Sequence, residues 1–194
     1  MTFDRAADAS LGTARNPACT DIVLRDSVAG DIAAVQEIYA SHVLHGTGSF
    51  EERAPDREEM AQRRQAILAR RLPYIVAGSD ERILGFAYAA PFRPRPAYRF
   101  TIEDSIYIHP DAVGQGFGRL LLGDLIGRCE ALGYRQMVAV IGDSRNVRSI
   151  RLHEALGFGR AGTFTSVGFK FGRWLDAVFM QRALGESDST LPEG

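Results

Sequence analysis

Apolar residues along the chain switch between two spacings, and each switch marks a new element. Ile22, Val23 and Leu24 form a short extended run; behind Asp31, residues Ile32, Val35, Ile38 and Tyr39 recur at helical spacing. This predicts a strand followed by an amphipathic helix. The segment HGTGSFEERAPD is polar, glycine-rich and contains Pro55, so it reads as a loop. A charged helix is expected over 56–71, with Met60, Ile67 and Leu68 on a thin apolar stripe suited to the surface. Strands are predicted over 74–77, 83–90 and 101–108, the last two joined by the proline-rich loop PFRPRPAYRF, which implies an antiparallel meander. After His109 and Pro110 the turn DAVGQGFGR opens a helix whose buried stripe is Leu122, Leu125, Ile126, Cys129 and Leu132, with Gly133 as its stop. The strand MVAVI, a short helix over 146–156 and two strand-like runs over 163–167 and 177–182 complete the pattern. The order of elements predicts an α/β domain on a mixed sheet, with no internal repeat.

Composition narrows the class of protein. A chain of 194 residues with 45% hydrophobic and 9% aromatic residues fits one domain, expected over 21–184. The polar leader 1–20 and the tail 185–194 read as loose ends. A formal net charge of −1 offers no overall field to a phosphate backbone or an anionic membrane, so neither nucleic acid nor membrane is expected as a partner. The leader has no apolar core of a secretory signal, and no stretch reaches the length of a membrane span. Cys19 and Cys129 form no disulfide framework, and a cytoplasmic location is expected.

The sharpest chemical signal is VGQGFGRLL, set between a strand and an amphipathic helix, with Gly114, Gly116 and Gly118 at alternate positions. Glycines let a backbone approach a ligand closely, and the free amides at a helix N-terminus favour phosphate. A P-loop would need Lys and then Ser or Thr after the last glycine, where Arg119 and Leu120 stand. A dinucleotide fingerprint would need glycine in place of Arg119. A turn without any ligand is the remaining local alternative.

Together with its surroundings, the turn resembles the pyrophosphate loop of the GNAT superfamily, with Val113 in place of the usual leading Gln or Arg. NVRSIRLHEALGF resembles that superfamily's second coenzyme-binding element, through Asn146, Ser149, Gly157 and Phe158. TIEDSIYIHP, AVIGDSRNVRSIRLHEALGF and VGFKFGRWLDAVFMQ are similar, in that order, to the phosphinothricin and methionine sulfoximine or sulfone N-acetyltransferases, over about residues 22 to 184. The resemblance implies a GNAT fold: a mixed, mostly antiparallel central sheet flanked by about four helices, with splayed strands at the acetyl-coenzyme A site. It also implies a homodimer and direct acetyl transfer to the amine of a small amino-acid-like acceptor.

Residue roles follow as expectations. A protonated amine must lose its proton before it attacks a thioester, so a base is needed. Glu103 lies in a mostly apolar strand run, and the resemblance places the subfamily's proposed catalytic glutamate there; a solvated carboxylate or an ion pair with Arg99 is the alternative. Asp104 points to the opposite strand face and is the weaker candidate. His153 stands where many superfamily members carry a tyrosine acid, and a helix-face histidine bonded to a carbonyl is the competing reading. The backbone of Ile106, Tyr107 and Ile108 is expected beside the pantetheine arm, with Tyr107 also readable as core. The pyrophosphate is expected on Val113, Gly114, Gln115, Gly116, Phe117, Gly118 and Arg119, with Asn146 and Ser149 nearby.

For the acceptor, the stiff loop with Phe92, Arg93, Tyr98 and Arg99 carries guanidiniums suited to a carboxylate, or is simply an exposed basic loop. The resemblance adds Phe50, Lys170, Arg173 and Trp174 to the pocket or to a dimer contact. His42, His45 and His109 fall into no ligand pattern, so no metal is expected. Cys129, in a buried stripe, is a poor nucleophile. Two other readings stay open: a sensor that binds acyl-coenzyme A without turnover, and a peptide N-terminal acetyltransferase.

Overall fold

The computed structural model describes residues 22–79 and 82–192, so the expected leader lies outside the described residues. Strand β1 (Val23–Asp26) leads through a short turn into helix α1 (Ile32–His45), which buries Ile32, Val35, Ile38, Tyr39 and Val43. The buried Asp31 carboxylate fixes this corner: it accepts from the Val28 N–H at 2.7 Å and from both terminal nitrogens of Arg25 at 2.8 and 2.9 Å.

Helix α2 (Arg57–Ala69) starts at Asp56, whose side chain accepts from the Glu59 N–H at 2.9 Å. It ends two residues earlier than the sequence predicts, because Arg71 turns to a positive φ of 58° ahead of Pro73. The helix also buries more than its thin stripe suggests. Arg64 is buried and donates to both the hydroxyl, at 2.7 Å, and the carbonyl of Ser27.

Strands β2 (Tyr74–Gly78), β3 (Ile83–Pro91) and β4 (Thr101–Ile108) form the expected antiparallel meander. Helix α3 (Phe117–Ala131) follows the glycine turn, then β5 (Gln136–Gly142), α4 (Val147–Ala155), β6 (Gly159–Lys170) and β7 (Arg173–Ala183). Among the described residues, one sheet holds these seven strands in the order β1, β2, β3, β4, β5, β7, β6. β4 runs parallel to β5, and the other neighbours pair antiparallel.

The sheet separates two apolar layers. On one face Val35, Ile38, Tyr39 and Met60 pack against Val76 and Phe86; on the other Leu121, Leu122, Leu125 and Cys129 pack against Ile75, Ile102 and Met137. In α3 the buried stripe gains Leu121 and loses Leu132, which is 51% exposed. The helix stops at Ala131, Gly133 takes a φ of 82°, and Leu132 is left on the rim.

β6 and β7 are about twice as long as the runs the pattern marks. A two-residue turn at Phe171 and Gly172, with φ of 53° and 71°, joins them. β6 is an outer strand exposed almost throughout, so no alternation of buried and wet positions announces it. Beyond β7, residues of the expected loose tail are tied back: Ser187 accepts from the Gln136 amide at 2.6 Å and Thr190 from Arg135 at 3.0 Å.

Candidate active site

A parallel pair that stops pairing halfway creates the cleft. β4 and β5 stay in register from Thr101 and Gln136 only as far as Asp104 and Ala139, yet β4 runs on to Ile108 and β5 to Gly142. On its other side β4 remains paired with β3 up to Ile108. The His109 N–H donates to the Leu84 carbonyl at 2.8 Å, and antiparallel alternation then aims the polar backbone of Tyr107 at β3 and that of Ile106 into the gap. The Ile108 carbonyl is covered by His42 Nε2 at 2.8 Å. Burial holds His42 below its ordinary pKa, so its neutral ring donates that bond.

The resulting cleft encloses about 1460 Å³. Its walls include Glu103 to Ile108, the glycine turn, the N-terminal half of α4, and residues 46–51 of the loop before α2. At the turn, Gly114 and Gly116 have φ of 85° and 92°, and a Cβ on either would meet no atom within 4 Å. The turn is therefore open on the cleft side, and it runs into the first turn of α3, whose leading amides lack helical partners. This is a cradle for the phosphates of a nucleotide-bearing ligand. Asn146 caps α4 by accepting from the Ser149 N–H at 3.3 Å.

Two carboxylates occupy neighbouring positions on β4 and face opposite ways. Glu103 is half-buried, and desolvation, with the charge of Asp104 added, pushes its pKa up to about 7 against a smaller pull from Arg93. Arg99, the ion-pair partner that the sequence offers Glu103, instead lies over the Phe100 ring at 4.5 Å. Asp104 Oδ2 meets His153 Nε2 at 3.1 Å, and both side chains are only 2% exposed. His153 Nδ1 donates to the Ser149 carbonyl at 2.7 Å. Burial works against a charged His153 ring, but the bond to Asp104 and its charge outweigh it and raise the ring's pKa. Both ring nitrogens are thus engaged, and the Asp104 Oδ1 is buried with no hydrogen-bond partner among the described residues. The sequence signal for this pair was an acid in the stripe Ile102, Asp104, Ile106 and Ile108.

The structure brings most of the sequence-predicted residues to this cleft. Glu103, His153, Ile106, Tyr107, Ile108, Val113, Gly114, Gly116, Gly118, Arg119, Asn146, Ser149, Phe50 and Arg173 all line it. Arg173 is held by Asp143 at 2.5 Å. Other candidates lie elsewhere. The Gln115 side chain donates to the Asp111 carbonyl at 2.7 Å, and the Phe117 ring is buried in the core, so each offers the cleft backbone at most. Lys170 is buried, its ammonium bonded to the carbonyls of Gly46 at 3.0 Å and Ser49 at 2.7 Å; it braces the loop and is not a free pocket cation. Trp174, 64% exposed, packs on Phe169 outside the cleft. Phe92, Arg93, Tyr98 and Arg99 are on the loop between β3 and β4, where Phe92 and Tyr98 stack edge to face at 5.7 Å and Arg93 lies over Phe92. Among the described residues, no three His, Cys, Asp or Glu side chains come close enough to hold a metal.

His42, Thr47 and Gly142 line the cleft without any signal in the sequence. A Cβ on Gly142 would lie 2.0 Å from the Thr47 carbonyl oxygen and 2.9 Å from Phe50 Cε1. Gly142→Ala is therefore expected to push the 46–51 loop off β5, costing about 1–3 kcal/mol as overpacking does. Thermal unfolding should register the loss.

A half-open mixed sheet with a phosphate cradle at one helix start defines a site for a nucleotide-linked substrate laid between two strands. The chain belongs to the GNAT acetyltransferase family: the profile of the Acetyltransferase (GNAT) family matches residues 35–158. It is 56% identical over 176 residues to phosphinothricin N-acetyltransferase of Alcaligenes faecalis, covering 91% of this chain and 88% of that one. With the L-methionine sulfoximine/L-methionine sulfone acetyltransferase of Salmonella typhimurium it shares 38% identity over 165 residues, 85% of this chain and 96% of the other. Among solved structures, a GNAT superfamily phosphinothricin acetyltransferase from Sinorhizobium meliloti in complex with AcCoA superposes with a TM-score of 0.86 at 50% identity, over 89% and 93% of the two chains. The chain is an acetyl-coenzyme A-dependent N-acetyltransferase, and the open glycine cradle beside a strand with free backbone fits that co-substrate. No helix among the described residues is long and apolar enough to cross a membrane.

Proposed function

We propose that the enzyme acetylates the free amine of a small amino-acid-like acceptor, of the phosphinothricin, methionine sulfoximine or methionine sulfone type, with Glu103 as general base. The observation that carries this reading is a half-buried carboxylate, held near pKa 7 by desolvation, on the wall of the cleft. A base in that range accepts a proton from an ammonium and is still ionised at working pH. Amine nitrogen then attacks the thioester carbonyl, the Ile106 N–H in the gap supports the developing oxyanion, the C–S bond breaks, and the departing coenzyme A thiolate takes up the proton that the new amide nitrogen sheds. No acetyl-enzyme forms, since burial pushes the Cys129 thiol up to about 12. His153, with both nitrogens bonded, serves as the clamp between β4 and α4. Arg93, whose charge acts on Glu103, is assigned to the acceptor carboxylate, and Arg99, laid over Phe100, is not.

The pH dependence tests the base. Activity as kcat/KM should rise with pH through an apparent pKa of about 7; a profile flat from pH 5 to 9 contradicts the assignment. Stability gives an independent readout. A carboxyl whose folded pKa exceeds its unfolded value favours the fold most below the unfolded value, and that advantage is lost as pH rises through about 7. Glu103→Gln should therefore melt close to wild type at pH 4 and above it at pH 8.

The exposed apolar strip of the hairpin, with Phe164, Val167, Phe169, Phe171 and Trp174 each more than half exposed, supports a homodimer through β6 and β7. Light scattering measures this. A free, buried Cys129 suits a cytoplasmic enzyme.

A further inference from the structure

We propose that a second cavity, between α2 and strands β2 and β3, is a subsite for the acceptor's side chain and extends the acceptors to neutral amino acids with an aromatic side chain. This rests on Glu103 as the base and adds a side-chain class to that reading. The cavity holds about 310 Å³ and is lined by Tyr39, Met60, Arg63, Tyr74, Tyr88 and Ala90, with Ala66 and Ile67 of α2 at its edge.

Register places the cavity beside the base. Ala90 on β3 is the direct partner of Glu103 on β4. Opposed residues of an antiparallel pair share a face, with Cβ atoms about 4.5–5.5 Å apart. An amine held at the Glu103 carboxylate therefore stands within a side chain's length of the cavity. Tyr88 faces both the cleft and the cavity, so the two spaces share that wall. Beside it, Glu51 of the cleft meets Arg63 of the cavity at 2.7 Å, and the Tyr39 hydroxyl donates to Glu51 at 2.9 Å.

The lining selects the occupant. Tyr74 and Tyr88 are register partners whose rings stack at 5.1 Å and 14°, a flat aromatic wall that faces Met60 and Ile67. An apolar cavity of about 150 Å³ is enough to hold a benzene ring, so this one has room for a ring and its linking methylene. Arg63 is the charged residue of the lining, and its guanidinium is already engaged by Glu51 at 2.7 Å and Glu59 at 2.5 Å. With two carboxylates on one guanidinium, an anionic side chain gains no free cation here and loses its hydration, whereas a neutral ring loses nothing.

Acetylation of L-phenylalanine and of L-2-aminobutyrate, whose short side chain ends before the cavity, tests the subsite on wild type, Ala90→Leu and Ala66→Trp. The first variant fills the cavity from the strand beside Glu103, and the second from an exposed position on α2, where folding is not at risk. Wild type should show a kcat/KM for phenylalanine at least about tenfold above that for aminobutyrate, the discrimination an apolar pocket supplies. In at least one filled variant that ratio should fall toward one; a general folding defect lowers both rates and leaves the ratio in place. A wild-type ratio near or below one, or a ratio that neither variant lowers, would overturn the subsite. Turnover of methionine sulfone without turnover of phenylalanine also removes the subsite and leaves the Glu103 reading standing, whereas acetylation of no acceptor at all overturns both.

Discussion

Glu103→Gln should lower kcat by about a hundred- to ten-thousandfold, the usual contribution of a positioned general base. Acetyl-coenzyme A affinity should be retained, because the glycine turn and Asn146 are built from other segments of the chain. Steady-state rates beside calorimetric affinity measure the two separately. The rising limb of the pH profile near 7 should vanish with the carboxylate, while Glu103→Asp, which keeps a shorter acid, should retain a shifted limb. If Glu103→Gln binds acetyl-coenzyme A and turns over as fast as wild type, the base lies elsewhere.

The largest effect on stability is expected from Asp104→Ala. The Asp104 and His153 side chains meet at 3.1 Å with 2% exposure each, at the last register position before β4 leaves β5. Removing one partner of a buried pair leaves the other without compensation, and about 3–5 kcal/mol is lost. For an enzyme of marginal stability that is a large fraction of the total. The sign with pH is fixed by His153: its raised pKa means the pair's contribution is complete below the ring's ordinary value of 6.5 and is lost as pH rises through the folded value. Urea denaturation should thus find the greatest deficit near pH 6 and a smaller one at alkaline pH. Asp104→Asn, which can still accept from the imidazole, should lose less.

This pair also marks the limit of what the chain discloses before it folds. The meander and the glycine turn were legible because each is local: period two, and glycines at alternate positions between a strand and a helix. Period two also placed Glu103 and Asp104 on opposite faces, yet it gave no means to see that Asp104 meets a ring 49 residues away. The same holds for the end of the β4 and β5 register, which creates the cleft. Nothing beside Gly142 in the sequence shows why glycine stands there, because the contact that requires it comes from Thr47 on another segment. Lys170 looked available for a ligand until the Gly46 and Ser49 carbonyls claimed it. β6 was underestimated because a strand wet along nearly its whole length has no apolar period. Local chemistry therefore announced the glycine turn, and long-range packing decided the rest of the cleft.

The central claim is acetyl transfer to the amine of a small amino-acid analogue, with Glu103 taking the proton. The direct measurement is release of free coenzyme A thiol from acetyl-coenzyme A at pH 8, with phosphinothricin, methionine sulfoximine and methionine sulfone as acceptors, run on wild type and Glu103→Gln. Acceptor-dependent release by wild type, with an N-acetylated product and a loss of at least about a hundredfold in the variant, is the expected result. Tight binding of acetyl-coenzyme A with no release above background for any acceptor, or equal release by both proteins, would contradict it.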